Sequence, residues 1–180
     1  PNNGTVVFAG NSAISGVSTT AFNHVTISGS VTGNPNAVSI AGAWVNNGVF
    51  SPGGGTVQFM GDTEISGSSS SVFNNVTVNG TLAGHALKPV SITGVWSNNG
   101  AFNPNNGTML FSGNTEISGS STSAFNNVAV SGFLAGHASK PVAIAGNWTQ
   151  NGLFDDNNGT MIFNGRSALG GTGTSVFHNI

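Results

Sequence analysis

Charged residues are nearly missing from this chain of 180 residues, which has three Lys or Arg and five Asp or Glu and a formal net charge of −2. About a quarter of the residues of a typical soluble protein are charged. The few charges are scattered, so no basic surface is available to attract a polyanion. We therefore expect no nucleic acid as a partner, and the composition offers no cluster of acids and bases for an enzyme.

Cysteine is also absent, which excludes a disulfide framework and a thiolate metal site. Long hydrophobic runs are lacking, because Val, Ile and Phe alternate with Gly, Asn, Ser and Thr, and we expect no membrane insertion. The chain begins with Pro1 and has no initiator Met, basic segment or apolar segment of a signal peptide. Any export signal is thus expected to have been removed or to lie outside this chain.

Repetition is what the sequence has in abundance. Gly-Thr followed by a strand-like run with Phe three residues after the Thr recurs at 4–5, 55–56, 107–108 and 159–160, which gives a period of about 52 residues. Eleven of the twelve Phe residues and all three Trp residues follow this period. The sequence therefore predicts a single repeat array over 1–180, with repeats at about 4–54, 55–106 and 107–158 and a partial repeat at 159–180.

A shorter pattern lies within each repeat, of the form apolar-x-apolar-x-Gly. It starts at 6, 25, 38, 57, 76, 90, 109, 128, 142 and 161, so that long intervals such as 57 to 76 are interrupted by shorter ones such as 25 to 38 and 76 to 90. Period-two alternation with β-branched residues is typical of half-buried strands. We interpret each interval as one coil, with three rungs per repeat and about ten rungs in all.

These patterns predict an all-β fold, a parallel β-helix or β-solenoid, right-handed by the general chirality of parallel connections. Gly, Asn and Pro at 46–48, 51–55, 98–100 and 103–107 predict positive φ or turn conformations between the strands. The competing interpretation is an antiparallel β-sandwich or a string of small β-domains. We disfavour it because a repeat made of three similar coils is difficult to fit onto hairpins.

The runs GTVQFMG at 55–61, FNNVTVNG at 73–80 and VSITGVWSNNGAF at 90–102 carry a resemblance. Together they resemble the tandem Gly/Thr/Asn-rich β-solenoid repeats of large secreted bacterial surface proteins, which are adhesin-like or fibre-forming. The resemblance covers essentially the whole chain. It implies an extracellular or cell-surface location and a structural or adhesive role, and it brings no catalytic residues.

The candidate contact residues are His85, Lys88, His137 and Lys140, which recur in the motif GHAxKPV. Stacked rungs would place the two copies of this loop three rungs, about 14 Å, apart on one side of the rod. Each copy is either a loop that contacts a ligand or another subunit, or an ordinary polar corner with its turn fixed by proline. No catalytic, cofactor or metal site is predicted.

Other polar residues have similar alternatives. His24 and His178 replace an Asn of the FNN motif and are expected to substitute one corner hydrogen bond for another. The run 155–159 resembles a fragment of a calcium loop but lacks its spaced acidic ligands and distal Glu, which favours a plain, solvent-exposed turn. Glu64 and Glu116 fall in identical contexts three expected rungs apart, too far for a glycosidase pair.

We therefore expect an extracellular structural protein, a rigid segment of a surface fibre, stalk or filament. No polar cap is apparent at either end, so two explanations are open. Either this chain is an excerpt from a longer solenoid, as the stop at Ile180 within a motif suggests, or its end rungs associate with neighbouring copies in a filament. The alternative is an adhesin-like module that binds cell-surface glycans through the GHAxKPV loops.

Overall fold

The computed structural model describes residues 2–180, which form 26 strands and no helix. In chain order the strands are β1 (Thr5–Phe8), β2 (Asn11–Ala13), β3 (Thr20–Phe22), β4 (His24–Ile27), β5 (Ser30–Thr32), β6 (Ala37–Ile40), β7 (Trp44–Asn46), β8 (Val49–Ser51), β9 (Thr56–Phe59), β10 (Asp62–Ser66), β11 (Ser71–Phe73), β12 (Asn75–Val78), β13 (Thr81–Ala83), β14 (Val90–Ile92), β15 (Val95–Asn98), β16 (Ala101–Asn103), β17 (Thr108–Phe111), β18 (Asn114–Ser118), β19 (Ser123–Phe125), β20 (Asn127–Val130), β21 (Phe133–Ala135), β22 (Val142–Ile144), β23 (Trp148–Gln150), β24 (Leu153–Asp155), β25 (Met161–Phe163) and β26 (Leu169–Gly170).

Each strand lies beside the strand three places later in the chain, and every pairing is parallel. The strands therefore form three faces around one axis, which start at β1, β2 and β3. Pairing is interrupted between β8 and β11 and between β16 and β19, although these strands stay in contact. The parallel β-solenoid is confirmed, with about nine coils rather than about ten. The antiparallel sandwich is excluded for the described residues.

The division of the repeat differs from the prediction. Paired residues are between 18 and 21 positions apart, as in Thr20 with Val38 and Trp44 with Ile65, so every coil has nearly the same length. The shorter intervals in the sequence pattern, such as 25 to 38, are not short coils. Each of these intervals runs from a strand on one face to the strand two places later, which lies on another face, as from β4 to β6. Such an interval therefore covers only part of one coil.

One repeat therefore contains eight strands, β1–β8, β9–β16 or β17–β24, which make two and two-thirds coils at three strands per coil. Three rungs per repeat was wrong. Because eight is not a multiple of three, each repeat places equivalent residues on a different face. Trp44 lies on the first face, Trp96 on the third and Trp148 on the second.

The core is built from columns that mix different repeat positions. On the third face, Phe22, Ile40, Phe59 and Val78 lie in successive coils, so large and small side chains alternate along the axis. Parallel strands lie about 4.8 Å apart, so three repeats, or eight coils, extend about 38 Å along the axis. Only at that distance do equivalent repeat positions lie on the same face again. Identical side chains do not form continuous rows.

Positive φ occurs at two of the four predicted stretches, 51–55 and 103–107, while 46–48 and 98–100 change direction without it. Gly53 and Gly54 have φ of 64° and 82°, and Asn105 and Asn106 have φ of 50° and 56° at the equivalent positions. Asn tolerates this left-handed region better than other residues with a Cβ. The turns at 51–55 and 103–107 are therefore confirmed as the places where the chain leaves one face for the next.

Candidate functional site

The two GHAxKPV loops are organised by their histidines. The Nδ1 atom of His85 accepts hydrogen bonds from the backbone N–H groups of Leu87 and Lys88, both at 3.1 Å. Its Nε2 lies 2.7 Å from the Gly67 carbonyl oxygen in the preceding coil. Because Nδ1 is an acceptor, Nε2 carries the proton and donates to Gly67. Both ring nitrogens of buried His85 are occupied by the backbone.

His137 makes the same contacts one repeat later. Its Nδ1 accepts from the N–H groups of Ser139 and Lys140 at 3.1 Å, and its Nε2 lies 2.8 Å from the Gly119 carbonyl oxygen. The geometry leaves neither imidazole free to bind a ligand. The observation agrees with the polar-corner interpretation of these residues.

Asn34 makes the equivalent hydrogen bonds in the first repeat, and the sequence interpretation did not identify this role. Its Nδ2 donates to the Gly16 carbonyl oxygen at 3.1 Å, and its Oδ1 accepts from the Asn36 N–H at 2.9 Å. The loop there is one residue shorter. The signal was in the sequence, because Asn34 follows Gly33 as His85 follows Gly84.

Lys88 and Lys140 are both exposed, but the loops that carry them lie at different corners of the rod. The first loop joins β13 to β14, between the first and second faces, and the second joins β21 to β22, between the third and first faces. The expectation that they project from one side, three rungs apart, was wrong because one repeat is two and two-thirds coils. The two lysines cannot act on one small ligand.

Replacing His85 with Ala is expected to lower the free energy of unfolding by about 1–3 kcal/mol, the cost of leaving buried hydrogen-bonding groups without a partner. The N–H groups of Leu87 and Lys88 and the Gly67 carbonyl would all lose their side-chain partner. Urea denaturation followed by circular dichroism measures the change.

Two further variants control this result. His85→Asn should recover part of the loss, since Asn34 makes the equivalent bonds with an amide. Lys88→Ala should leave stability unchanged because its side chain is exposed. A His85→Ala protein as stable as the wild type would show that the imidazole does not hold this loop.

The corner role expected for His24 is confirmed. Its Nδ1 accepts from the Ala43 N–H at 2.8 Å, just as Asn75 Oδ1 accepts from the Val95 N–H at 2.8 Å. A histidine imidazole can therefore replace an asparagine amide as the hydrogen-bond acceptor at this corner. At the other end, it is the backbone N–H of His178 that forms the observed bond, to Asp156 Oδ2.

The acidic residues are spread over different elements. Asp155 and Asp156 accept hydrogen bonds from the N–H groups of Asn157 and Asn158, so both carboxylates stabilise the turn itself. Asp156 is buried rather than solvated, unlike the plain exposed turn that was expected. No group of three or more His, Asp or Glu side chains within residues 2–180 is arranged to hold a metal ion.

Glu64 and Glu116 lie on different faces of the rod. Glu64 is in β10 on the first face, Glu116 is in β18 on the third, and both are exposed. Their separation around the axis follows from the same eight-strand repeat that separates the lysines. The two carboxylates cannot face one bond from opposite sides, as acid and base do in glycosidases.

The end coils differ from the interior because one side of each has no neighbouring coil. Phe8, Phe22, Phe163 and Phe177 are only partly buried at the two ends, while the equivalent rings in the middle are fully buried. Strand edges without a partner also leave backbone N–H and C=O groups free to pair.

Comparison of the chain with protein-family models, curated proteins and solved structures found no match. Among residues 2–180, the structure contains no helix with the length and apolar character needed to span a membrane.

Proposed function

We propose that this protein is a structural element, a rigid repeat segment of an extracellular fibre, stalk or filament. The observation that carries the proposal is one apolar core that runs through all the coils, from Ile14 to Met161. The repeats differ little, and their polar residues are used to hold loops and turns. In this proposal, both the core residues and the polar residues serve to extend and stabilise the rod.

Rigidity follows from how neighbouring coils are joined. Hydrogen-bonded ladders run along the three faces, parallel to the axis. Inside, Trp96 lies 4.7 Å from Phe102 and 5.8 Å from Phe125, measured between ring centroids, and such aromatic pairs add about 0.5–1.5 kcal/mol each. Bending the rod would open these contacts on one side, so we expect a stiff segment.

Rotation of each repeat by one face supports a role as a spacer. The equivalent loops of the three repeats, at 33–37, 84–89 and 136–141, point in three different directions. The rod therefore has no preferred side on which one kind of loop accumulates. A location outside the cell is part of the proposal, since the repeats resemble those of secreted bacterial surface proteins.

The glycan-binding alternative has less support. It relied on His85 and His137, whose ring nitrogens are bound to the backbone. Only Lys88 and Lys140 remain as free charged groups of these loops, and they lie at separate corners. We therefore propose assembly through the end coils rather than recognition through the loops.

Small-angle X-ray scattering and negative-stain electron microscopy test this function. Nine coils at about 4.8 Å each predict a rod about 43 Å long for one copy, and lengths in multiples of that value for joined copies. Dispersed single rods at high protein concentration and native salt would contradict end-to-end assembly. Particles that bend freely along their length would contradict the structural role itself.

A further inference from the structure

Asparagine followed two residues later by threonine or serine is the triplet at which asparagine-linked sugars are attached. Six such triplets occur in the chain, and five of them lie within the coils, at Asn75, Asn79, Asn106, Asn147 and Asn158. A chain this rich in Asn and Thr contains such triplets by composition alone, so the sequence does not separate them. The surroundings of the five side-chain amides in the folded rod do.

Three of the five side chains are bonded to a neighbouring coil. Asn75 Oδ1 accepts from the Val95 N–H at 2.8 Å, and Asn147 Oδ1 accepts from a backbone N–H of the following coil at 3.2 Å. Asn79 Nδ2 donates to the sulfur of Met60 at 3.2 Å. An enzyme that modifies these amides would first have to separate each side chain from its partner.

Asn106 and Asn158 differ from these three residues. Both are exposed and occupy the second left-handed position of a turn, with φ of 56° and 58°. Within residues 2–180 neither side-chain amide has a hydrogen-bond partner, and Asn106 is held instead by its backbone carbonyl, which accepts from Asn126 Nδ2 at 2.8 Å. The hydroxyls of half-buried Thr108 and Thr160, the third residues of the two triplets, also have no partner in this range. Both triplets therefore present free polar groups.

The first asparagine of each turn shows the opposite arrangement. Asn105 Nδ2 donates to the Gly84 carbonyl oxygen, and Asn157 Nδ2 donates to the Gly136 carbonyl oxygen, both at 3.2 Å. The first asparagine therefore ties the turn to the preceding coil. The second asparagine has no such contact, so its amide is available to an enzyme.

The first repeat shows where a side chain at the second position points. Gly53 and Gly54 occupy the two left-handed positions there. A Cβ at Gly53 would lie 2.2 Å from the Gly33 carbonyl oxygen of the preceding coil, whereas a Cβ at Gly54 would meet nothing within 4 Å. A side chain at the second position therefore projects away from the rod. Because glycine suffices there in the first repeat, the turn does not require an asparagine side chain at this position.

We propose that Asn106 and Asn158 are acceptor sites for an asparagine-linked sugar that is attached to the folded rod. The donor is a nucleotide-linked hexose, whose anomeric carbon carries a diphosphate leaving group. The side-chain amide nitrogen supplies the electron pair for the new bond to that carbon. The bond from the carbon to the diphosphate oxygen breaks, the nucleoside diphosphate leaves with its electron pair, and the amide loses one proton to a base of the transferase.

The class of donor follows from the fact that folding distinguishes the acceptors. A transferase that acts during export on an unfolded chain, with a lipid-linked donor, would meet all the triplets in the same state. A transferase with a soluble nucleotide-linked donor acts on the folded rod, where Asn106 and Asn158 present free amides. The inference goes beyond the structural role and does not depend on how rods assemble.

The two sites lie at different corners of the rod. The turn at 103–107 joins β16 on the first face to β17 on the second, and the turn at 155–159 joins β24 on the third face to β25 on the first. Sugars at both sites would surround the rod instead of lining one side. Attached sugars are bulky and solubilising, so they would hydrate a surface that has very few charges.

The test incubates the folded chain with UDP-glucose and a soluble asparagine glucosyltransferase, and peptide mass spectrometry then locates the product. Asn106 and Asn158 should each gain one hexose. Labelling of Asn75, Asn79 and Asn147 should be at least about fivefold lower, because each of these side chains must first break a hydrogen bond. Circular dichroism before and after the reaction checks that the protein stays folded.

The repeats supply two matched variants. Asn106→Gly should remove one hexose and keep the fold, since glycine occupies the equivalent position in the first repeat. Gly54→Asn creates the missing triplet with Gly55 and Thr56. It should add a third hexose and keep the fold, because asparagine tolerates the left-handed φ of 82° at this position.

Three results would overturn the proposal. If the transferase is active on a control peptide, unmodified Asn106 and Asn158 would show that these turns do not present their amides. Labelling of Asn75 or Asn147 equal to that of Asn106 would show that the fold does not select the acceptors. A folded Gly54→Asn protein without a third hexose would show that the second turn position is not what the transferase recognises.

Discussion

Replacing Trp96 with Ala is expected to lower the free energy of unfolding by about 3–5 kcal/mol, the range for large buried aromatic side chains. Trp96 is fully buried and lies edge-on to Phe102 at 4.7 Å, and its Nε1–H donates to Ser123 Oγ at 3.1 Å. Since each coil contacts only its neighbours, a cavity in the middle of the rod uncouples its two halves. Urea denaturation followed by far-ultraviolet circular dichroism measures the loss.

Two control variants separate the effect of the cavity from that of the lost hydrogen bond and from that of its position along the rod. Ser123→Ala removes only the acceptor of the Trp96 N–H and should cost about 1–3 kcal/mol. Trp148→Ala makes the same cavity near the C-terminal end, where little chain follows, so it should loosen the last coils and leave the rest folded. Equal losses for Trp96→Ala and Trp148→Ala would contradict the idea that coils act through their neighbours.

Replacing Gly100 with Ala is expected to cost about 3 kcal/mol, at the upper end of the usual range for overpacking. A Cβ at this position would lie 2.1 Å from the Gly80 carbonyl oxygen in the preceding coil. That carbonyl accepts the Ala101 N–H at 3.0 Å, so it cannot move away without breaking the ladder. The two coils would have to separate locally. Thermal unfolding measures the shift.

Gly10→Ala is the matched control. A Cβ at Gly10 meets nothing within 4 Å, and the residue does not have positive φ, so the change should leave stability nearly unaltered. Substantial destabilisation by Gly10→Ala would show that glycine is required there for a reason other than close approach of the coils. A neutral Gly100→Ala would show that neighbouring coils can adjust without cost.

Much of the fold could be predicted from the sequence because strand periodicity and repetition are local properties of the chain. Val76 and Val78 alternate with Thr77 and Asn79, which predicts one buried and one outward side, and both valines are buried. The number of strands per coil could not be predicted. It depends on which strands pair, and the short interval from Val76 to Val90 fits a short coil as well as two faces of a long one.

The candidate site was predicted only as a set of positions. The repetition of GHAxKPV identified His85 and His137 as equivalent residues, but the partner of each ring is a glycine carbonyl 18 positions earlier. Those glycines come close only because a coil returns the chain to the same corner. The role of Asn34 was missed for the same reason, since its chemistry matches histidine only once both are seen against the preceding coil.

The sequence by itself determined that this protein is an array of stacked parallel strands with an aromatic and aliphatic core, because alternation and repeat length are set by residue order. Only the tertiary structure decided how the array is wound. Hydrogen-bonded pairing requires every coil to follow the outline of the one before it, with three strands in each coil. Because a repeat has eight strands, each repeat is rotated by one face relative to the repeat before it. That winding places the equivalent loops of successive repeats at different corners of the rod.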